Sequence, residues 1–302
     1  MKELSIVVAS KNTQRTIQLC LEALVEQVQS DELEIIVIDA STDASAEIAR
    51  RFKQIKLVQA NPVCLVPELW KMGIEMTGGR SVAFTTANFI PASNWVAELR
   101  RLLQDDLAAI GGVFEKLVPD KISQWGIYFL RYASYLPSIS PHLSTQLAAD
   151  NAVYQRWVFE KYADLIEDGF WEHPVNRELK ADGHSLFLTP ALRVSMGYFS
   201  PPGDFFSQRF FHGRVFGAER AAQASPARRL FYILASPLIP LVLLLRVAQH
   251  VLKSNAQKFK FFFSLPWILY YLLGWSLGEL SGYLIGKSPS KRAQLKDYSS
   301  NS

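Results

Sequence analysis

The chain has 302 residues, 49% of them hydrophobic and 12% aromatic, with a formal net charge of +4. That length and apolar content allow one large domain with an appendage and exclude a disordered chain. The small net charge excludes the concentrated basic face of a nucleic-acid binder, and the two cysteines, Cys20 and Cys64, sit in apolar settings, read as reduced thiols and offer no CxxC metal spacing.

Leu4 to Ala9 is an apolar, Val/Ile-rich run, the pattern of a strand covered on both faces. Thr16 to Val28 follows with Ile17, Leu21, Leu24, Val25 and Val28 on one helical stripe. Glu34–Ile38 reads as a second strand, Ser45–Phe52 as its helix, and Ile55–Val58 as a third strand. Leu69–Met76 reads as a helix closed by Gly78-Gly79, and Ser81–Thr85 as a fourth strand. Residues 94–104 suit another helix and Ala108–Phe114 another strand. This alternation predicts βαβ units and a mainly parallel sheet. Residues 120–145 read as an aromatic, loop-like stretch, with Trp125, Tyr128, Phe129, Tyr132 and Tyr135 either packing the core or forming an acceptor platform. Met1-Lys-Glu-Leu leads into the first strand without a secretory signal, which places the N-terminal part on the cytoplasmic side.

Composition changes near residue 225. Leu230–Leu245 is nearly all apolar, interrupted by Ser236, Pro237 and Pro240, and Leu265–Ile285 is a second apolar stretch with Glu279 as its one charge. A span needs about 20 apolar residues, so the second stretch qualifies and the first does so if Val247–Leu252 extends it. The expected arrangement is a helical membrane hairpin at 230–286, with a basic juxtamembrane segment at 216–229 and a polar tail at 287–302. Trp267, Tyr270, Tyr271 and Trp275 are candidate interfacial anchors. Arg220, Arg228 and Arg229 read as lipid-facing charges, and Lys253, Lys258 and Lys260 as a basic loop between the helices.

Residues 1–215 resemble family 2 glycosyltransferases, inverting enzymes with a nucleotide-sugar-binding GT-A fold. Five segments carry the resemblance: Leu4–Asn12, Glu34–Asp43, Trp70–Phe84, Asn151–Arg156, and Trp171-Glu172-His173 followed by Arg177-Glu178-Leu179. It implies a Rossmann-like α/β domain at 1–215, a UDP- or GDP-linked sugar as donor, and an enzyme of the hexosyltransferase class. With the hairpin, it further implies a lipid-linked or polysaccharide acceptor and a place at the cytoplasmic membrane in polysaccharide or glycolipid synthesis.

By the same resemblance Ala9, Ser10, Lys11, Asp39, Ser41 and Lys71 face the donor. Asp39 ends a strand where a carboxylate accepts from the N–H of a nucleotide base, while Asp43 suits the cap of the next helix. Glu172 is the expected general base, taking the acceptor hydroxyl's proton as that oxygen attacks the anomeric carbon, with His173 beside it. Asn151, Arg209 and Arg214 are assigned to the acceptor or to phosphate. The family's Asp-x-Asp metal site falls on Thr86 and Asn88, which offer no anionic oxygen. Mn2+ or Mg2+ therefore binds weakly at most, with Asn88 a poor ligand. Two readings follow: Lys11, Lys71, Arg209 and Arg214 neutralise the diphosphate, or the domain keeps binding and has lost catalysis. Trp70 stands where the family commonly has Arg.

Overall fold

The computed structural model describes residues 2–28, 32–102, 106–117, 121–254 and 257–286. The expected tail at 287–302 and the last two residues of the helix expected at 94–104 lie outside the described residues. The described chain divides into two compact units. One comprises 1–117 and 139–198, the other 118–138 and 199–302. The expected boundary at 215 falls inside one unbroken helix, and the division comes at 198 instead.

In chain order the first unit contains β1 (Leu4–Ser10), α1 (Ile17–Val25), β2 (Leu33–Asp39), α2 (Ser45–Ala49), β3 (Ile55–Gln59), α3 (Val66–Met76), β4 (Ser81–Thr86), β5 (Phe89–Pro91), α4 (Trp95–Leu102) and β6 (Leu107–Lys116). After the chain returns come β7 (His142–Ser144), β8 (Asn151–Gln155), α6 (Arg156–Lys161), α7 (Glu172–Ala181) and β9 (Ser185–Met196). The second unit holds α5 (Ile122–Tyr132), α8 (Pro202–Ala222), α9 (Pro226–Ala235), α10 (Ile239–Ser254) and α11 (Lys258–Ile285). The stretch read as an aromatic loop is thus largely the helix α5. Trp125, Tyr128, Phe129 and Tyr132 recur at helical spacing and are buried in it.

Nine strands among the described residues form one sheet in the order β3-β2-β1-β4-β8-β6-β9-β5, with β7 added on β9. β1, β2, β3 and β4 run parallel, the apolar runs of β1, β2 and β4 being covered on both faces, and β8 enters antiparallel beside β4. From β1 the chain winds outward through β2 to β3, then crosses back to place β4 on the other side of β1. That reversal puts a crevice at the carboxyl ends of β1 and β4, where open α/β sheets bind ligands.

Behind this edge an aromatic cluster fixes the packing. Phe84 stacks on Phe170 at 4.9 Å between ring centres, and Trp70, Tyr154 and Phe159 meet both edge-on or tilted. Trp70 also donates from its indole nitrogen to the Thr85 carbonyl at 3.1 Å. Fully burying a ring such as Phe170 stabilises by about 2–3 kcal/mol.

In the helical unit, α8 and α11 cross at backbone contact. A Cβ added at Gly278 would lie 1.9 Å from the Phe210 carbonyl oxygen, at Gly213 2.2 Å from that of Trp275, and at Gly217 2.2 Å from that of Glu279. Gly213-xxx-Gly217 thus meets Gly274-xxx-Gly278-xxx-Gly282, small residues that let helices approach without side chains between them. Glu279, the lone acid of the second stretch, is buried in that contact. It accepts from Arg220 at 3.2 Å, from the Trp275 indole at 2.8 Å and from the Tyr283 hydroxyl. Arg229 donates to the carbonyls of Tyr283 at 2.6 Å and Leu284 at 2.9 Å, capping α11. Arg220 and Arg229 are therefore internal partners rather than lipid-facing charges. Lys253 lies in the last turn of α10, and Lys258 and Lys260 in the first turn of α11. Tyr271 is fully buried and donates to the Ser123 carbonyl at 3.2 Å, so it anchors α5 rather than an interface. Pro226–Ser254 and Lys258–Ile285, 29 and 28 residues, are long and apolar enough to cross a membrane.

Candidate active site

β1 and β2 pair in register so that Ser10 lies opposite Asp39, the first polar residues after two apolar runs. Both are buried. Ser10 Oγ donates to Asp39 Oδ1 at 2.5 Å, and Ser41 Oγ donates to the same oxygen at 2.7 Å. The Ser41 N–H reaches Oδ2 at 3.3 Å, which leaves that oxygen the greater spare acceptor capacity. Asn12 takes a left-handed conformation (φ 53°), which Asn tolerates well. From there its N–H donates to Ser41 Oγ at 2.8 Å and its Oδ1 accepts from the Thr42 N–H at 3.0 Å. Asp43 accepts from the Ser45 N–H at 3.0 Å, at the start of α2, and from the Gln14 N–H at 3.1 Å. The loops after β1 and β2 are thereby tied into one rigid lip.

Lys11 leaves that lip and donates to the Cys64 carbonyl at 2.8 Å. Burial lowers the pKa of its ammonium group, while Cys64 and Glu68 pull the other way. Ala9 is a buried strand residue whose carbonyl accepts from the Ala87 N–H at 2.9 Å.

At the end of β4, Thr86 is buried. Asn88 accepts from Thr16 Oγ1 at 3.4 Å through its side chain and from the Gly197 N–H at 3.0 Å through its carbonyl. Neither residue is anionic, and among the described residues no three His, Cys, Asp or Glu side chains gather to hold a metal ion. This donor set does not fit the Mn2+ or Mg2+ that the family resemblance implies, since hard cations select anionic oxygens.

Glu172 is the first residue of α7, partly exposed, with His173 after it. Gly169 (φ 125°) makes the turn before them, a conformation that favours glycine. That turn lets the Phe170 N–H donate to the Pro67 carbonyl at 2.8 Å while its ring enters the aromatic cluster. Farther along α7, Asn176 donates to the Leu147 carbonyl at 3.0 Å and accepts from the Tyr154 hydroxyl at 2.9 Å. His173 donates from Nδ1 to Gln146 Oε1 at 2.7 Å. The start of α3 is therefore a shared abutment. Lys11 bonds to Cys64 just before it, Glu68 Oε2 accepts from the Leu65 N–H at 2.7 Å, and the Glu172 segment docks on Pro67.

Lys71 and Asn151 are engaged within the α/β unit. Lys71 pairs with Glu75 along α3 at 2.9 Å. Asn151 is fully buried: it accepts from the Trp95 indole at 2.8 Å and donates to the carbonyls of Val113 at 3.0 Å and Leu192 at 3.2 Å. Its amide ties β6, β8, β9 and α4 together, so an acceptor contact is corrected to a strut. Arg209 and Arg214 belong to the helical unit. Arg209 lies 4.3 Å from the centre of the Trp275 ring, and burial together with the Arg131 charge lowers its pKa. Each has its Nε buried without a hydrogen-bond partner. Asn12, Thr13, Thr16, Gln146 and Asn176 shape the site without having stood out in the sequence, although the polar run Ser10–Thr16 directly after an apolar strand is a signal for them.

Glycosyl transferase family 2 matches residues 5–163, more than half of the chain. The chain belongs to that family and is a glycosyltransferase. Glu172 and His173 lie just past the end of the match. A mannosyltransferase from Pyrobaculum calidifontis, solved in complex with GDP-Man and Mn2+, is similar in structure. It has 15% identity, a TM-score of 0.55, and coverage of 92% of this chain and 87% of that one. The likeness shows a common fold, and the expected GT-A architecture is the observed one. S. aureus TarS aligns at 12% identity and a TM-score of 0.47 over 70% of this chain, which covers 39% of TarS. No curated protein matches the sequence.

Proposed function

We propose that this glycosyltransferase moves a sugar from a UDP- or GDP-linked donor to a lipid-linked or polysaccharide acceptor, with inversion, at the cytoplasmic face of a membrane. One observation carries the reading. The lip that holds Asp39 and the segment that ends in Glu172 rest on the same few residues at the start of α3. In this reading a base-reading carboxylate and a general base share one support.

In this reading Asp39, aligned by Ser10 and Ser41, accepts from the nucleotide base through Oδ2. Glu172 takes the acceptor hydroxyl's proton as the oxygen attacks the anomeric carbon, and the nucleoside diphosphate leaves from the opposite face. His173, fixed by Gln146, hydrogen-bonds the acceptor. The GDP-Man held by the Pyrobaculum calidifontis neighbour makes a guanosine-linked donor a reasonable first candidate.

The apolar faces of α9 and α10, with Leu230, Phe231, Leu234, Leu238, Leu241 and Leu245 exposed, support membrane anchoring by a hairpin. An anchor in the same chain raises the effective concentration of a membrane-bound acceptor. Arg209 and Arg214, with their unpartnered Nε atoms, are the candidates for its phosphate.

The second reading, a binding protein without transfer, is motivated by Thr86 and Asn88. Titration calorimetry of UDP, GDP and their sugar conjugates into the detergent-solubilised full chain, with Mn2+ and then with EDTA, tests the donor. Glu172→Gln separates the two readings. It is expected to keep nucleotide binding and to lose about 100- to 10,000-fold in transfer rate. A chain that binds nucleotide sugars and transfers nothing, with or without Glu172, sinks the enzymatic proposal.

A further inference from the structure

The carboxyl ends of the paired strands β1 and β4 turn polar, and a loop beside them carries an exposed cation, Arg15. The segments there are Ser10–Asn12 at the end of β1 and Thr86–Asn88 at the end of β4. Arg15 lies in the turn between β1 and α1, and two contacts tie that turn to the segment around Asn88. The next residue, Thr16, donates to Asn88 Oδ1 at 3.4 Å. The Arg15 guanidinium lies 5.3 Å from the centre of the Tyr198 ring, and Tyr198 directly follows Gly197, whose N–H donates to the Asn88 carbonyl at 3.0 Å.

Among the described residues Arg15 is exposed and has no carboxylate partner. Two other cations of this unit are engaged: Lys71 pairs with Glu75, and Lys11 is bonded to the Cys64 carbonyl. The nearby acids are also occupied: Asp39 accepts from Ser10 and Ser41, and Asp43 from Gln14 and Ser45. The end of β4 itself offers Thr86 and Asn88, neither of them an anionic oxygen of the kind a divalent cation selects, and the exposed guanidinium of Arg15 belongs to the loop tied to Asn88.

We infer that Arg15 is the counter-ion for the donor's diphosphate, supplying as a fixed side chain the positive charge that a metal would otherwise bring to this strand end. The inference rests on the nucleotide-sugar reading above. Chemistry favours Arg for the task. The guanidinium keeps its charge at any working pH, presents two parallel N–H donors to phosphate oxygens, and stacks on an aromatic ring without losing them. Stacking on Tyr198 also limits the side chain's freedom before a ligand arrives, which lowers the entropic cost of the contact.

The test is a ladder of probes titrated into the full chain in detergent with EDTA: the nucleoside, its monophosphate and its diphosphate, for uridine and for guanosine. Arg15→Ala is expected to weaken diphosphate binding about tenfold to a hundredfold and leave the nucleoside unchanged. Arg15→Lys is expected to recover part of the loss. The salt dependence of diphosphate binding should be shallower in Arg15→Ala than in the parent. Installing Thr86→Asp with Asn88→Asp in the Arg15→Ala chain is expected to restore diphosphate binding only when Mn2+ is added. Equal weakening of nucleoside and diphosphate, or no change in either, overturns this inference and leaves the donor reading standing. A parent chain that binds none of the probes overturns both.

Discussion

Asn151, in the α/β unit, is fully buried and uses its amide oxygen on Trp95 and its amide nitrogen on Val113 and Leu192. In the helical unit the Nε atoms of Arg209 and Arg214 and the Oε1 of Gln124 are buried without partners, and these three are the full set of such atoms among the described residues. The surfaces differ in the same sense. Large exposed apolar side chains are scattered singly over the α/β unit, as at Leu19, Met76 and Leu143, while α9 and α10 present them in a continuous series. Among the described residues, the α/β unit pairs its buried polar side-chain atoms, while the helical unit leaves three open and bares a run of leucines, a surface of the kind that marks an interaction site.

Three variants sharpen or break that contrast, in decreasing order of effect. Gly278→Val drives a side chain into the Phe210 carbonyl, which lies 1.9 Å from the position of an added Cβ. It should cost about 3 kcal/mol or more and release α8 from α11, while nucleotide binding by the α/β unit survives. Thermal unfolding followed beside nucleotide titration reads both, and loss of both together would mean that the units do not stand independently. Asn151→Ala strands a buried indole donor and two carbonyls and should cost about 3 kcal/mol, measured as a lower unfolding midpoint in denaturant. A change under 1 kcal/mol would return Asn151 to the list of ligand contacts. Arg209→Met removes a guanidinium whose Nε is buried without a hydrogen-bond partner, together with its stacking on Trp275. In detergent without phosphate it should stay within about 1 kcal/mol of the parent. A large loss there would show that Arg209 already has its partner inside the protein.

The sequence made the sheet legible for the reason the sheet exists. β1, β2 and β4 are buried on both faces, so their residues are apolar without alternation, and the loops that follow turn polar at once. The helix α5 escaped notice because its stripe is aromatic and its start has neither an acidic residue in the first turn nor a side-chain cap. β7 and β9 escaped because β9 bends through register shifts that break a simple alternation.

Asp39, Ser10, Ser41 and Lys11 stood out in the sequence because they follow strands in a known order, and the structure ties the first three together by hydrogen bonds. Asn151 was misplaced because a resemblance conveys position along the chain and not whether an amide faces ligand or core. Arg15 did not stand out because its contact with Tyr198 joins residues far apart in sequence. Arg220 looked like a surface charge for the same reason, since its partner Glu279 belongs to another helix.

The helical unit is assembled from two pieces of chain, 118–138 and 199–302, with three strands of the sheet made in between. α5 packs against α11, as at Gly126 beneath Trp267 and Tyr271, yet it leaves the ribosome well before α11 exists. At ordinary synthesis rates that interval is on the order of ten seconds. For that time a helix carrying Trp125, Phe129 and Tyr132 waits with its apolar side uncovered. Biogenesis is therefore the moment at which this chain is most open to a chaperone or to misassembly, and removing the C-terminal helices would make that exposure permanent.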